Sequence, residues 1–143
     1  RYTRKKLFSP LLLIATLFAS ALLQAAPVQP MTISGATTVT AEQLLDLAGE
    51  KDDLVIIDAR SQADYDKGHI PDVVWIKNTD ITAENLAANI PTKDTPVCFY
   101  CNGITCDRSA DAAMKAKAEG YTNIYWFRGG VEEWKEKGFP LEM

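Results

Sequence analysis

Histidine is almost missing from this chain: one occurs in 143 residues, which excludes most metal centres built on several imidazoles. Cysteine is scarce as well. The three present, Cys98, Cys101 and Cys106, fall within nine residues, so they mark a local site and not a framework of disulfide staples. With so few partners nearby, a zinc site lacks ligands, and Cys101 and Cys106 are not spaced as a C-x-x-C redox pair. There is no internal repeat and no low-complexity tract. Only one long apolar run exists, Leu7–Leu23, and it stands at the beginning. Basic charge is short too. Residues 1–26 hold four of the 15 basic side chains and none of the 19 acidic ones, so residues 27–143 carry 11 against 19, a net charge of −8. An acidic surface of that kind argues against nucleic acid as a partner.

What is present begins with a basic head, Arg1, Arg4, Lys5 and Lys6, followed by the apolar run and then Gln24-Ala25-Ala26 before Pro27. Charged, apolar and small residues in that order make a secretory signal peptide over residues 1–26. The alternative is a retained anchor, but the run, with Ser9-Pro10 near its start, is shorter than the roughly 20 residues a spanning helix wants. The expectation is therefore an exported protein of the bacterial periplasm, free of the membrane once the signal is removed. About 117 residues remain, enough for one domain with one core. A monomer is expected.

Residues 27–38 are small and polar, a linker with an edge strand expected near Met31–Ser34. Thr40-Ala41-Glu42-Gln43 has the pattern of a capping box, and the helix it opens is expected to stop at Gly49. Leu54–Ile57 is a continuous apolar run, as in a strand buried on both faces of a parallel sheet. It leads into Asp58-Ala59-Arg60, at a strand end where chemistry often sits. A short capped helix over Ser61–Asp66, a turn at Gly68–Pro71, a strand over Val73–Ile76 and a helix over Thr82–Ile90 halted by Pro91 come next. Then come a strand at Val97–Tyr100, a helix at Arg108–Glu119 ended by Gly120, a strand at Asn123–Phe127 and a last helix at Val131–Lys137. Strands alternating with helices of this length define an α/β domain, a largely parallel central sheet with helices on both faces.

The segment Pro96–Ser109 reads P-V-C-F-Y-C-N-G-I-T-C-D-R-S. A β-prone run delivers Cys101 to a loop that opens into a helix. Backbone N–H groups converge at such a place and the helix dipole is positive, so a thiolate or a bound anion is favoured there. Cys101 is read as the nucleophile. Cys106 is either a resolving thiol or a packing residue of the loop. Cys98 alternates away from Cys101 along the strand and belongs to the core. Arg108 either binds an anion or braces the loop against Asp107 or Asp111. Arg60 serves an anion, pairs with Asp58, or both. His69 is assigned to fixing its turn through a backbone hydrogen bond, not to catalysis. Tyr125, Trp126 and Trp134 are read as packing.

Asp58-x-Arg60, Tyr65, Gly68-His69-Ile70-Pro71, the Cys101 loop ending in Arg108-Ser109, Gly120-Tyr121, and Gly129-Gly130 with Trp134, Gly138 and Pro140 together resemble the rhodanese homology domain. No one of these motifs is specific. Their order and spacing match over about Val39–Glu142, giving a rhodanese-like domain at 39–143. The resemblance implies a three-layer fold, Cys101 as a sulfur carrier, loop amides around the carried sulfur and Arg60 near the pocket. It makes Asn102, Gly103, Ile104, Thr105, Cys106, Asp107 and Arg108 the substrate-binding loop, with no metal and no cofactor. The family's sulfurtransferases commonly show C-x4-R-S, whereas six residues here separate Cys101 from Arg108. Longer loops in the superfamily resemble those of phosphatases and arsenate reductases. The expected activity is transfer of sulfane sulfur from a small anion such as thiosulfate, through a Cys101 persulfide, to a thiol acceptor. Its rivals are a thiol–disulfide or persulfide-reducing protein using Cys101 and Cys106, a non-catalytic module binding an anion or partner, and a phosphatase with Asp107 as proton donor.

Overall fold

The computed structural model describes residues 25–143. The expected signal peptide, save its last two residues, lies outside the described residues. Five short strands and five helices alternate: β1 (Ala36–Thr38), α1 (Ala41–Glu50), β2 (Val55–Asp58), α2 (Gln62–Asp66), β3 (Val74–Trp75), α3 (Ala83–Asn89), β4 (Val97–Tyr100), α4 (Arg108–Ala118), β5 (Ile124–Phe127) and α5 (Gly130–Glu136). A 3₁₀ turn at Asn78–Asp80 precedes α3. The strands form one sheet in the order β1-β5-β4-β2-β3, every pair parallel. This is the α/β architecture expected from the alternation of apolar runs, and β4, which leads into Cys101, is its middle strand.

Local chemistry accounts for the helix starts. Thr40 caps α1 in a full capping box with Gln43, and Thr82 caps α3 in another with Asn85. Each satisfies two backbone donors that would otherwise be orphaned. Ser61 caps α2, accepting from the Asp64 N–H. Two expectations need correction. α1 runs through Gly49 to Glu50, ending where the Lys51 N–H donates to the Leu47 carbonyl, so no left-handed glycine is needed there. The edge strand falls at Ala36–Thr38, inside the expected linker and after Met31–Ser34. Gly35, at φ +86°, turns the chain first, while Ile33 drops into the core.

The core has two layers, and β4 shows why. Val97 and Phe99 pack with Leu86 and Ile90 of α3 and Ala112, Ala113 and Ala116 of α4. Cys98 and Tyr100 face the other way, toward Leu44 of α1 and Val131 and Trp134 of α5. Successive side chains of a strand point to opposite faces, and all four here are buried. Burying one large apolar side chain is worth about 1.5–3 kcal/mol, so this register is firmly held. Cys98 and Cys101, although three apart, therefore point to opposite sides of the sheet. β5 obeys the same parity, with Ile124 and Trp126 in the first layer and Phe127 in the second.

Candidate active site

Cys101 comes directly after β4 with the parity of Phe99, so its sulfur turns to the α4 side. There it meets Ser109 in the first turn of α4. The Ser109 N–H donates to Cys101 Sγ at 3.4 Å, and Ser109 Oγ lies 3.2 Å from it. Trp126, on the same face of β5, donates its Nε1–H to Ser109 Oγ at 2.8 Å. An indole N–H can only donate, so the serine oxygen accepts there and its own proton is free for the cysteine sulfur. Cys101 is buried, 1% exposed, but its sulfur faces polar groups. The neighbouring Cys106 and burial hold its thiol up, and the two contacts from Ser109 pull it down.

The loop after Cys101 is docked by its carbonyls. The Val131 and Glu132 N–H groups at the start of α5 donate to the carbonyls of Cys101 (3.0 Å) and Asn102 (2.9 Å). In a planar trans peptide the N–H points opposite to the C=O, so the amides of Asn102 and Gly103 turn away from α5. The Asn102 amide, together with that of Arg108, acts to lower the Cys106 thiol. Gly130 makes the docking possible: at φ +58°, any Cβ it carried would strike the Cys101 carbonyl and the Asn102 backbone.

Cys106 is half-buried where Cys98 and Cys101 are buried, and all three are free. Its N–H donates to the Gly103 carbonyl at 3.0 Å, curling the loop back, and its carbonyl oxygen sits 3.4 Å from Cys101 Sγ. The neighbouring Cys101 thiol, the backbone amides of Asn102 and Arg108 and the Arg108 charge lower the Cys106 thiol to about 6.

The remaining loop residues divide by what they touch. Asn102 donates its side-chain amide to Asp64 of α2 at 3.3 Å, and Gly103 is buried beneath Glu132. Ile104, Thr105 and Asp107 are exposed, and the Ile104 carbonyl accepts from the Gln29 N–H at 2.7 Å. Arg108 faces Asp64 at 3.7 Å, not Asp107 or Asp111, and its Nη1 is buried without a hydrogen-bond partner among the described residues. Asp111 is held by Asn78 and Lys115. Arg60 takes the pairing with Asp58, one of its expected roles. It is 3% exposed and committed to Asp58 (2.8 Å) and the Gly68 carbonyl (2.7 Å), with Tyr100 O–H donating to the same carboxylate at 2.6 Å. The guanidinium is a strut between β2, β4 and the turn after α2. His69 sits in that turn, its Nδ1 3.1 Å from the Tyr65 carbonyl and its ring stacked on Tyr65. Sequence reasoning gave no role to Ser109 or Asp64 and read Trp126 as packing alone. The Arg-Ser pair opening α4 was the available signal for the first.

A buried thiol at the carboxyl end of the middle strand, facing the first turn of the next helix, defines a class: small, parallel α/β domains with a cysteine loop. A family model described as a rhodanese-like domain matches residues 40–137, and the chain belongs to that family. The protein YibN of Escherichia coli is 32% identical over 92 residues, covering 64% of this chain. The matched stretch spans 62% of that relative's length. A sulfurtransferase of Allochromatium vinosum is 28% identical over 103 residues, 72% of this chain and 92% of that one. Among solved structures, the BH2092 protein of Bacillus halodurans superposes with a TM-score of 0.66 at 22% identity, covering 75% of this chain and 77% of that one. The human single-domain sulfurtransferase TSTD1 gives 0.59 at 24%, covering 71% and 97%. At these identities the structures speak to the fold.

Proposed function

We propose that this chain is a sulfurtransferase that carries sulfane sulfur on Cys101, taken from a small anion such as thiosulfate and passed to a thiol acceptor. The observation that carries the reading is the pair of Ser109 donors on the Cys101 sulfur at the end of the middle strand. Relatives named sulfurtransferase support it. In the loading step the Cys101 thiolate attacks the outer sulfur of thiosulfate, the donor's S–S bond breaks, and sulfite leaves with the electron pair. Charge-assisted hydrogen bonds from Ser109 favour the anionic sulfur before and after attack. The buried Nη1 of Arg108, 3.7 Å from Asp64 and without a hydrogen bond among the described residues, is the cation for the donor's negative oxygens. The proposal includes export to the periplasm, on the strength of the basic head and apolar run, and action as a monomer. Thiosulfate treatment of reduced protein is expected to release sulfite and to add about 32 Da, one sulfur, to the Cys101 peptide. Sulfite release that persists in Cys101→Ser refutes the assignment.

A further inference from the structure

Cys106 has no task in that loading step, yet the loop curls to bring residue 106 onto Cys101. The Cys106 N–H donates to the Gly103 carbonyl at 3.0 Å, and the backbone amides of Asn102 and Arg108 favour the charged form of its thiol. It is also the more accessible of the two, half-buried where Cys101 is 1% exposed. The backbone of residue 106 already lies against Cys101 Sγ, 3.4 Å from sulfur to carbonyl oxygen. A disulfide requires close Cα atoms and converging side chains, and the curl of the loop brings residues 101 and 106 together. A thiolate is the form that attacks a disulfide-like sulfur, and the Cys106 thiol is lowered to about 6.

We propose that Cys106 is the resolving thiol of this site: its thiolate attacks the inner sulfur of the Cys101 persulfide, expels hydrosulfide and closes a Cys101–Cys106 disulfide. The inference rests on the sulfur-carrier reading above. The new bond joins the two cysteine sulfurs, and the persulfide S–S bond breaks with its electron pair on the departing sulfur. Over loading and resolution, two thiols and one thiosulfate give one disulfide, sulfite, hydrosulfide and a proton. The two thiols are oxidised and the sulfane sulfur is reduced. A dithiol reductant, small or proteinaceous, must return the disulfide to two thiols by exchange before the next cycle. The substrate class is thus sulfane sulfur, and when no thiol acceptor takes the carried sulfur the product is free sulfide.

The test uses the reduced full chain and thiosulfate with no added thiol, reading sulfite, sulfide and peptide masses together. Wild type is expected to release sulfite and sulfide in equal amounts and to end about 2 Da lighter, with a linked Cys101–Cys106 peptide. Cys106→Ser is expected to hold about 32 Da on Cys101 and to lose sulfide release, relative to the sulfite it releases, by about tenfold or more. Cys106→Ala gives the same reading should the serine variant not fold. Wild type that keeps the added sulfur and forms no disulfide overturns the resolving role while leaving the carrier reading intact. Sulfur found on Cys106 in Cys101→Ser reverses the order of the thiols and overturns the proposal. Neither sulfite nor added mass in any variant removes both readings.

Discussion

Replacing Ser109 by alanine isolates one hydroxyl. The backbone N–H remains on the Cys101 sulfur, and the O–H that lies 3.2 Å away is lost. A hydrogen bond to a charged group contributes about 1.5–3 kcal/mol, and each 1.36 kcal/mol is tenfold in rate. Sulfite release in a single turnover with thiosulfate should therefore slow by about 10- to 150-fold. The contacts from Ser109 lower the Cys101 thiol, so their loss raises it, and the rising limb of the pH–rate profile should move to higher pH. Stability should fall independently. The Trp126 Nε1–H, buried with its indole, loses its only acceptor, and an unpaired buried donor costs about 1–3 kcal/mol. Urea unfolding should show an earlier midpoint with an unchanged slope. Trp126→Phe is the companion variant: it removes the indole donor, keeps the serine hydroxyl on sulfur, and should lower stability while leaving sulfite release within about threefold, because the hydrogen bond to sulfur is retained. If Ser109→Ala loads at the wild-type rate with an unmoved pH limb, the hydroxyl does not serve the sulfur and the argument fails.

Arg60→Met leaves Asp58 charged and buried without its partner, and should cost about 3–5 kcal/mol in urea unfolding. A midpoint near that of wild type would mean the pair is dispensable. Gly130→Ala places a Cβ against the Cys101 carbonyl at a left-handed backbone angle, so the loop must shift. Sulfite release should fall by at least about tenfold, since small misplacements in a site carry that scale of loss, while the circular dichroism spectrum stays that of wild type. The Cys106 thiol, lowered to about 6, is anionic above that pH and neutral below it. Its alkylation by iodoacetamide should accordingly be fast at pH 7 and fall away as pH drops through about 6. In Cys101→Ala, which removes the largest cause of the lowering, the transition should move upward.

Much of the fold was legible because local and global signals agree. The Thr40 and Thr82 boxes fix helix starts by side-chain bonds three residues away, and Val97–Tyr100 is so uniformly apolar that only a strand buried on both faces suits it. β1 was misplaced because Ala36-Thr37-Thr38 is a weak strand signal, and pairing with β5 decides its position. The loop cysteines were visible, but the direction of each amide is not a property of sequence. The Asn102 peptide is oriented by the N–H groups of α5, some thirty residues on. The Arg60–Asp58 pair was legible, but the carbonyl that completes it, that of Gly68, is reached through the fold of the following turn. Ser109 looked like an ordinary first-turn serine until Trp126 approached it from another strand.

The alternation along β4 bears on how such a domain can diversify. Between Tyr100 and α4 the chain can lengthen, since both ends of the segment are fixed and its middle, Ile104 and Thr105, lies in solvent. Within the strand it cannot. One residue gained or lost ahead of Cys101 would send the thiol to the α1 and α5 side, among Tyr100, Phe127 and Trp134, where no helix offers a serine or an open amide. New chemistries on this scaffold are therefore reached by editing the chain between the cysteine and α4, while the count of residues before the cysteine stays even or odd as it was.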